Sequence, residues 1–174
     1  MILCIAVIVL AIAADQISKY FALEYLKEME TLPIIEDIFH FTYVENRGAA
    51  FGMLSEHRWV FMTLSVIGIA AMIVWLAWDK PKSKWLRCAV SLVIGGGIGN
   101  MIDRILLGFV VDFIDCRFID FYVFNIADSC VCVGCGMFVL AVIAAEISES
   151  KAKKAAAVRE DVSESADENM DETV

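Results

Sequence analysis

Four stretches of nearly unbroken apolar sequence, at about residues 2–25, 59–78, 85–107 and 124–147, decide what this chain can fold into. Each is close to the ~20 residues that carry a helix across a hydrocarbon core of about 30 Å. Lipid offers no partners to backbone N–H and C=O groups, so such stretches must pair them internally, as helices do. The apolar share of 60% stands well above the roughly 45–50% of soluble domains. The expected fold is an all-α integral membrane protein, a four-transmembrane-helix bundle. Ala11-Ile12-Ala13 imitates a signal-peptide cleavage site, but the first stretch lacks the basic leader of such a signal and reads as a span.

Basic residues orient the bundle. Lys80, Lys82, Lys84 and Arg87 fill the short loop between the second and third spans, and Lys151, Lys153, Lys154 and Arg159 follow the fourth. Both groups belong on the cytoplasmic side. Four spans then place both termini in the cytoplasm and send two segments outside, 26–58 and 108–123. Trp59, Trp78 and Trp85 sit near span ends, where indole rings anchor at the interface.

The first outer segment contains Phe39-His40-Phe41-Thr42-Tyr43-Val44, an alternation rich in aromatic and β-branched residues that predicts a short strand. A small extracytoplasmic β-element over about 28–57 follows, with Gly48 and Gly52 permitting turns before the chain re-enters lipid. Residues 1–147 form the membrane domain, and 148–174 form a charged, cytoplasmic, disordered tail. Seven acids of that tail (Glu160, Asp161, Glu164, Asp167, Glu168, Asp171 and Glu172) account for all but −2 of the net charge of −9. The acidity therefore describes a solvated tail, and no nucleic-acid partner is expected.

Charges inside a span cost ~2.5–3.5 kcal/mol on insertion scales and need a partner, water or a task. Asp15 comes about 21 Å along the first helix at ~1.5 Å per residue, towards its outer end. Asp103 and Arg104 lie near the outer end of the third span, Asp112 just beyond it, and Asp128 about one turn into the fourth. Five ionisable groups from three helices thus share one depth. A structural ion-pair network around Arg104 is the simpler account of Asp15, Asp103 and Arg104. It suits Asp112 and Asp128 less well, because Arg104, with Lys19 nearer the surface, cannot neutralise four carboxylates.

Two surplus carboxylates held together cannot both ionise cheaply and come to share a proton. The ionised one can take a proton from water while the protonated one hydrogen-bonds a scissile carbonyl. That is aspartic peptidase chemistry, which needs no cofactor. A small transporter or proton-relay subunit is the alternative. A relay calls for ionisable residues from face to face, whereas these gather towards the outer end.

The residues carrying this chemistry stand in Asp15-Gln16-Ile17-Ser18-Lys19, Asn46-Arg47-Gly48-Ala49-Ala50-Phe51, Gly99-Asn100-Met101-Ile102-Asp103-Arg104, Val110-Val111-Asp112-Phe113 and Phe124-Asn125-Ile126-Ala127-Asp128-Ser129. In order and spacing these segments resemble the lipoprotein signal peptidase (signal peptidase II) family from about Met1 to Ile147. The resemblance implies an aspartic endopeptidase of the bacterial inner membrane, with its site near the outer leaflet. Its substrates would be diacylglyceryl-modified prolipoproteins, cut before the lipidated cysteine, and membrane lipid would be its other partner. It implies Asp112 and Asp128 as the catalytic pair, with Asp15, Asn46, Gly48, Asn100, Arg104 and Asn125 as supporting or substrate-binding residues. A monomer with no metal and no cofactor is expected.

Gly95 and Gly99 have the four-residue spacing of close helix packing. Cys4, Cys88, Cys130, Cys132 and Cys135 lie in apolar runs and read as small buried side chains. Two histidines, His40 and His57, are too few and too scattered for a zinc site. Phe118, Phe121, Tyr122 and Phe124 are placed to meet the interface or acyl chains.

Overall fold

The computed structural model describes residues 1–48, 58–79, 81–119 and 121–171. Ala49, Ala50, Phe51, Gly52, His57, Lys80 and Glu172, used above, lie outside them. The chain divides into two compact units, Met1–Phe138 and Val139–Val174.

In the first unit, helix α1 (Ile2–Phe21) passes through a π-helical turn (Ala22–Leu26) and a short α-helical turn (Lys27–Met29). Glu30, at φ 61°, reverses the chain into strand β1 (Thr31–Ile35), which pairs antiparallel with β2 (Phe39–Asn46). Helices α2 (Arg58–Trp78) and α3 (Lys84–Leu106) follow. Ser83 caps α3 by accepting the Leu86 N–H at 3.2 Å, meeting one of the unpaired donors of the first turn.

The turn after α3 needs a left-handed residue, which Gly108 supplies at φ 82°. Strand β3 (Val110–Cys116) then pairs antiparallel with β2 and completes a three-stranded sheet in the order β1-β2-β3. The sequence places the β-element at 28–57 and assigns no element to the outer segment 108–123. β3 adds a strand there: its partners run from Asn46 opposite Val110 to Phe39 opposite Cys116, and no local turn signals a pairing of that range. Helix α4 (Ile126–Asp171) begins the last stretch.

Among the described residues, three helical segments are long and apolar enough to cross a membrane: Ile2–Met29, Lys84–Leu106 and Ile126–Lys151. Met62–Trp78 is a shorter apolar helix. The fold is thus mostly helical with a small sheet. Two apolar clusters hold it. Cys4 of α1, Leu76 of α2, and Val90 and Ile94 of α3 form one, with Ile8, Ile69 and Met72 against it. Ala22, Leu26, Val111 and Phe113 form the other, which seats the sheet on the end of α1.

Helices α1 and α3 approach through glycine, as the spacing predicts. A Cβ at Gly95 would lie 2.7 Å from the Ala11 Cβ and 3.1 Å from the Ile8 carbonyl oxygen. The outward faces are apolar, with Ile2, Leu10, Val66, Ile67, Val74 and Trp78 all exposed. Burial of the thiols is narrower than expected: Cys4 is buried, Cys88 and Cys130 partly so, and Cys132 and Cys135 are exposed. Lipid rather than protein can shield such side chains, so an apolar run does not imply packing inside the bundle.

In the second unit the chain is helical to Asp171, where composition suggested disorder. Residues 150–171 are rich in Ala, Glu and Lys, all strong helix formers.

Candidate active site

Local chain geometry sets the position of Asp128. Asn125 precedes helix α4, and its Oδ1 accepts the Asp128 N–H at 2.9 Å while Asp128 Oδ2 accepts the Asn125 N–H at 3.3 Å. This is the reciprocal arrangement of a capping box, so the residue that starts the helix also fixes the carboxylate. Asp112 comes from β3, opposite Val44 of β2. The Phe113 and Ile114 N–H groups both donate to the Phe124 carbonyl, and the Phe124 N–H returns to Ile114 O. That clasp closes the intervening loop and brings Asn125 against β3.

The two aspartates meet over asparagine amides. Asn125 Nδ2 donates to Asp112 Oδ1 at 2.6 Å, and Asn46 Nδ2, at the end of β2, donates to Asp112 Oδ2 at 3.0 Å. Asn100 Nδ2 of α3 donates to Asp128 Oδ1 at 2.7 Å, and Asn125 Nδ2 also reaches Asn100 Oδ1 at 3.0 Å. All four carboxylate oxygens therefore accept an amide N–H. The Asn46 Oδ1 in turn accepts the Gly48 N–H at 3.1 Å. Asp112 is 2% exposed. Burial pushes its carboxyl up to about 6; the Asn46 amide pulls the other way, and the charge of Asp128 adds to the rise.

Beneath this pair lies a buried ion triad. Lys19 Nζ sits 2.9 Å from Asp15 Oδ2 and 3.0 Å from Asp103 Oδ2, and donates to Asn100 Oδ1 at 2.9 Å. Gln16 Nε2 donates to both carboxylates, at 3.1 Å to Asp15 and 3.0 Å to Asp103. Here the sequence reading needs correction. Lys19, read as nearer the surface, is 2% exposed, and it rather than Arg104 is the cation of the network. Arg104 instead donates to two backbone carbonyls, Asn100 O at 3.3 Å and Gly48 O at 3.4 Å.

The pair opens onto a groove of about 930 Å³, lined among others by Asn46, Gly48, Asn100, Arg104, Asp112 and Asp128. Phe121, Tyr122, Phe124, Val131 and Cys132 also line it. All eight residues singled out from the sequence thus gather here, Asp15 behind the pair and the others at it. Lys19, Gln16 and Asp103 were not assigned to the site, although the four-residue spacing of Asp15 and Lys19 was a usable sign. Among the described residues no three His, Cys, Asp or Glu side chains are grouped to hold a metal ion.

Residues 7–144 match the family model for signal peptidase (SPase) II. The chain belongs to the signal peptidase II family. It is 46% identical over 132 residues to the lipoprotein signal peptidase of Clostridioides difficile (strain 630), covering 76% of this chain and 88% of that protein. It is 41% identical to the lipoprotein signal peptidase of Halothermothrix orenii, covering 77% and 90%. Two bacterial membrane enzyme structures solved by the in meso method superpose with TM-scores of 0.75 and 0.73 at 33% identity. They cover 80% of this chain and 87% and 91% of their own. The chain is a bacterial membrane peptidase, and the apolar helices around its polar cluster suit that class.

Proposed function

We propose that this signal peptidase II removes signal peptides from diacylglyceryl-modified prolipoproteins, cutting before the lipidated cysteine, with Asp112 and Asp128 as its catalytic pair. One observation carries the assignment: two carboxylates from different elements converge on Asn125 beside a groove lined by both polar and apolar side chains. Such a groove suits a substrate that is peptide at one end and lipid at the other.

The chemistry follows from the shared proton. With Asp112 held protonated more readily than an ordinary carboxyl, one member of the pair hydrogen-bonds the scissile carbonyl while the other takes a proton from the attacking water. The roles reverse as the tetrahedral intermediate collapses and the amine leaves with a proton. Asn46, Asn100 and Asn125 hold the carboxylates by their amides, Asp15 supports them from behind, and Gly48 and Arg104 border the peptide path.

Four spans, both termini in the cytoplasm, a site near the outer leaflet and a monomer complete the proposal. It draws on the basic loops Lys80–Arg87 and Lys151–Arg159 under the positive-inside rule. Substrate enters sideways from the outer leaflet past Phe121, Tyr122 and Phe124, and the stretch after Lys151 is a cytoplasmic appendage.

The test is cleavage of a lipidated prolipoprotein by Asp112→Asn and Asp128→Asn enzymes shown to be inserted and folded. Both should be inactive, because an amide cannot share the proton. Full activity in either one overturns the catalytic assignment.

A further inference from the structure

The ion triad behind the site has a geometry that its charges alone do not require. Asp15 Oδ1 accepts the backbone N–H of Ala127 at 2.9 Å, and Asp103 Oδ2 accepts the backbone N–H of Val111 at 3.0 Å. Ala127 is the residue immediately before Asp128, and Val111 is the residue immediately before Asp112. Each triad carboxylate thus grips the chain one residue upstream of one member of the catalytic pair. Lys19 joins the two grips, and Gln16 spans them a second time.

Lys19 also reaches the pair through a side chain. An ammonium group has donors and no acceptor, so Asn100 must turn its oxygen to Lys19 and its NH₂ to Asp128, as it does at 2.9 and 2.7 Å. Asn125 Nδ2 donates to the same Asn100 oxygen at 3.0 Å, so removing the ammonium takes away one of the two donors that fix the facing of this amide. Of this arrangement only Asn100 borders the groove: Asp15 is 0% exposed, and Gln16, Lys19 and Asp103 are absent from the lining.

We propose that Lys19, with Asp15 and Asp103, is the positioning device of the catalytic pair. It ties strand β3 to the start of helix α4 at the residues next to Asp112 and Asp128, and it sets the distance and facing of the two carboxylates. This rests on the assignment of the pair given above. A misplacement of about 1 Å at a reacting group can cost ~10²-fold in rate, so the device acts on the chemical step and leaves substrate binding alone.

The experiment measures kcat and KM for cleavage of a lipidated prolipoprotein by the full-length enzyme, with thermal unfolding in micelles as the check on folding. Lys19→Met leaves two buried carboxylates without a cation, which is strongly destabilising. The informative variant is therefore Lys19→Met combined with Asp103→Asn, which keeps the net charge of the cluster and an oxygen to accept the Val111 N–H. It should fold, with kcat lowered about 10²-fold and KM within threefold. Asp103→Asn alone should lose less kcat than Asp103→Ala, because the amide preserves the grip on Val111.

A combined variant with kcat within twofold of the unaltered enzyme overturns the proposal. So does one that does not fold, which would make Lys19 a residue of stability alone, or one whose loss falls on KM. Asp112→Asn and Asp128→Asn run in the same assay keep the two readings apart. Activity in those variants refutes the pair itself, whereas their inactivity beside a fully active combined variant refutes only the positioning device.

Discussion

Asn125 Nδ2 lies 2.6 Å from Asp112 Oδ1, and the same asparagine starts the helix that carries Asp128. Its side-chain oxygen is committed to the Asp128 N–H, so its amide nitrogen faces the other way, to Asp112, Asn100 Oδ1 and the Val111 carbonyl. Both the capping of α4 and the closeness of the two aspartates therefore depend on one residue.

Substituting Asn125→Ala removes the cap and the link together. Losing a helix cap costs ~0.5–2 kcal/mol, and losing a preorganised donor in a buried site costs about 10²–10³ in kcat. A modest fall in Tm with a kcat loss of at least 10²-fold is expected from thermal unfolding and cleavage assays. A variant that loses stability but keeps its turnover would show that Asn125 is a cap and nothing more.

The pH dependence follows from Asp112. Burial raises its carboxyl from the ordinary 3.8 to about 6, so the protonated form persists to higher pH than usual. Above about pH 6 the proton that the pair must share is lost, and kcat/KM of the free enzyme should fall towards tenfold per pH unit. Stability moves the same way. A raised carboxyl pKa contributes stability that is fully present below about 3.8 and is lost as pH rises through about 6, so Tm in micelles should decline across that window. Rates that stay flat from pH 5 to pH 9 would contradict the shared proton.

How far the site was legible depends on which interactions are local. Asp15, Asp103, Asp112 and Asp128 could be placed at one depth because a helix converts residue count into distance, ~1.5 Å at a time. Their contacts could not, since nothing local says which helix faces which. Lys19 shows the limit: it stands in the last turn of an apolar helix, where a lysine ordinarily reaches for water, yet it turns inward to Asp15 and Asp103. The strand was visible over Phe39–Val44 from its own alternation, and it runs on to Asn46. Its partner β3 was not, because Val110–Cys116 has no adjacent hairpin to reveal it, and the pairing that places Asp112 opposite Val44 is long-range.

A chelator is expected to leave cleavage unchanged. Every oxygen of Asp112 and Asp128 already accepts an amide N–H, an arrangement of donors that a cation would have to displace. Incubation with excess EDTA, then dialysis and a cleavage assay, checks this. Activity lost to the chelator and restored by a divalent metal would redirect attention to Cys130, Cys132 and Cys135.

Gly99 offers a test of packing behind the site that removes no polar group. A Cβ there would stand 2.5 Å from Asp15 Oδ2 and 3.1 Å from its Cγ, so Gly99→Ala must push back the carboxylate that grips Ala127. Overpacking of this kind costs ~1–3 kcal/mol, and here the displaced atom is part of the support for Asp128. Gly99→Ala should therefore lower both Tm and kcat, while Gly68→Ala and Gly136→Ala, where a Cβ meets nothing within 4 Å among the described residues, should leave both near the starting values. Loss of activity in all three variants alike would point to a general sensitivity of the helices to added bulk. Loss confined to Gly99→Ala would tie catalysis to the seat of Asp15.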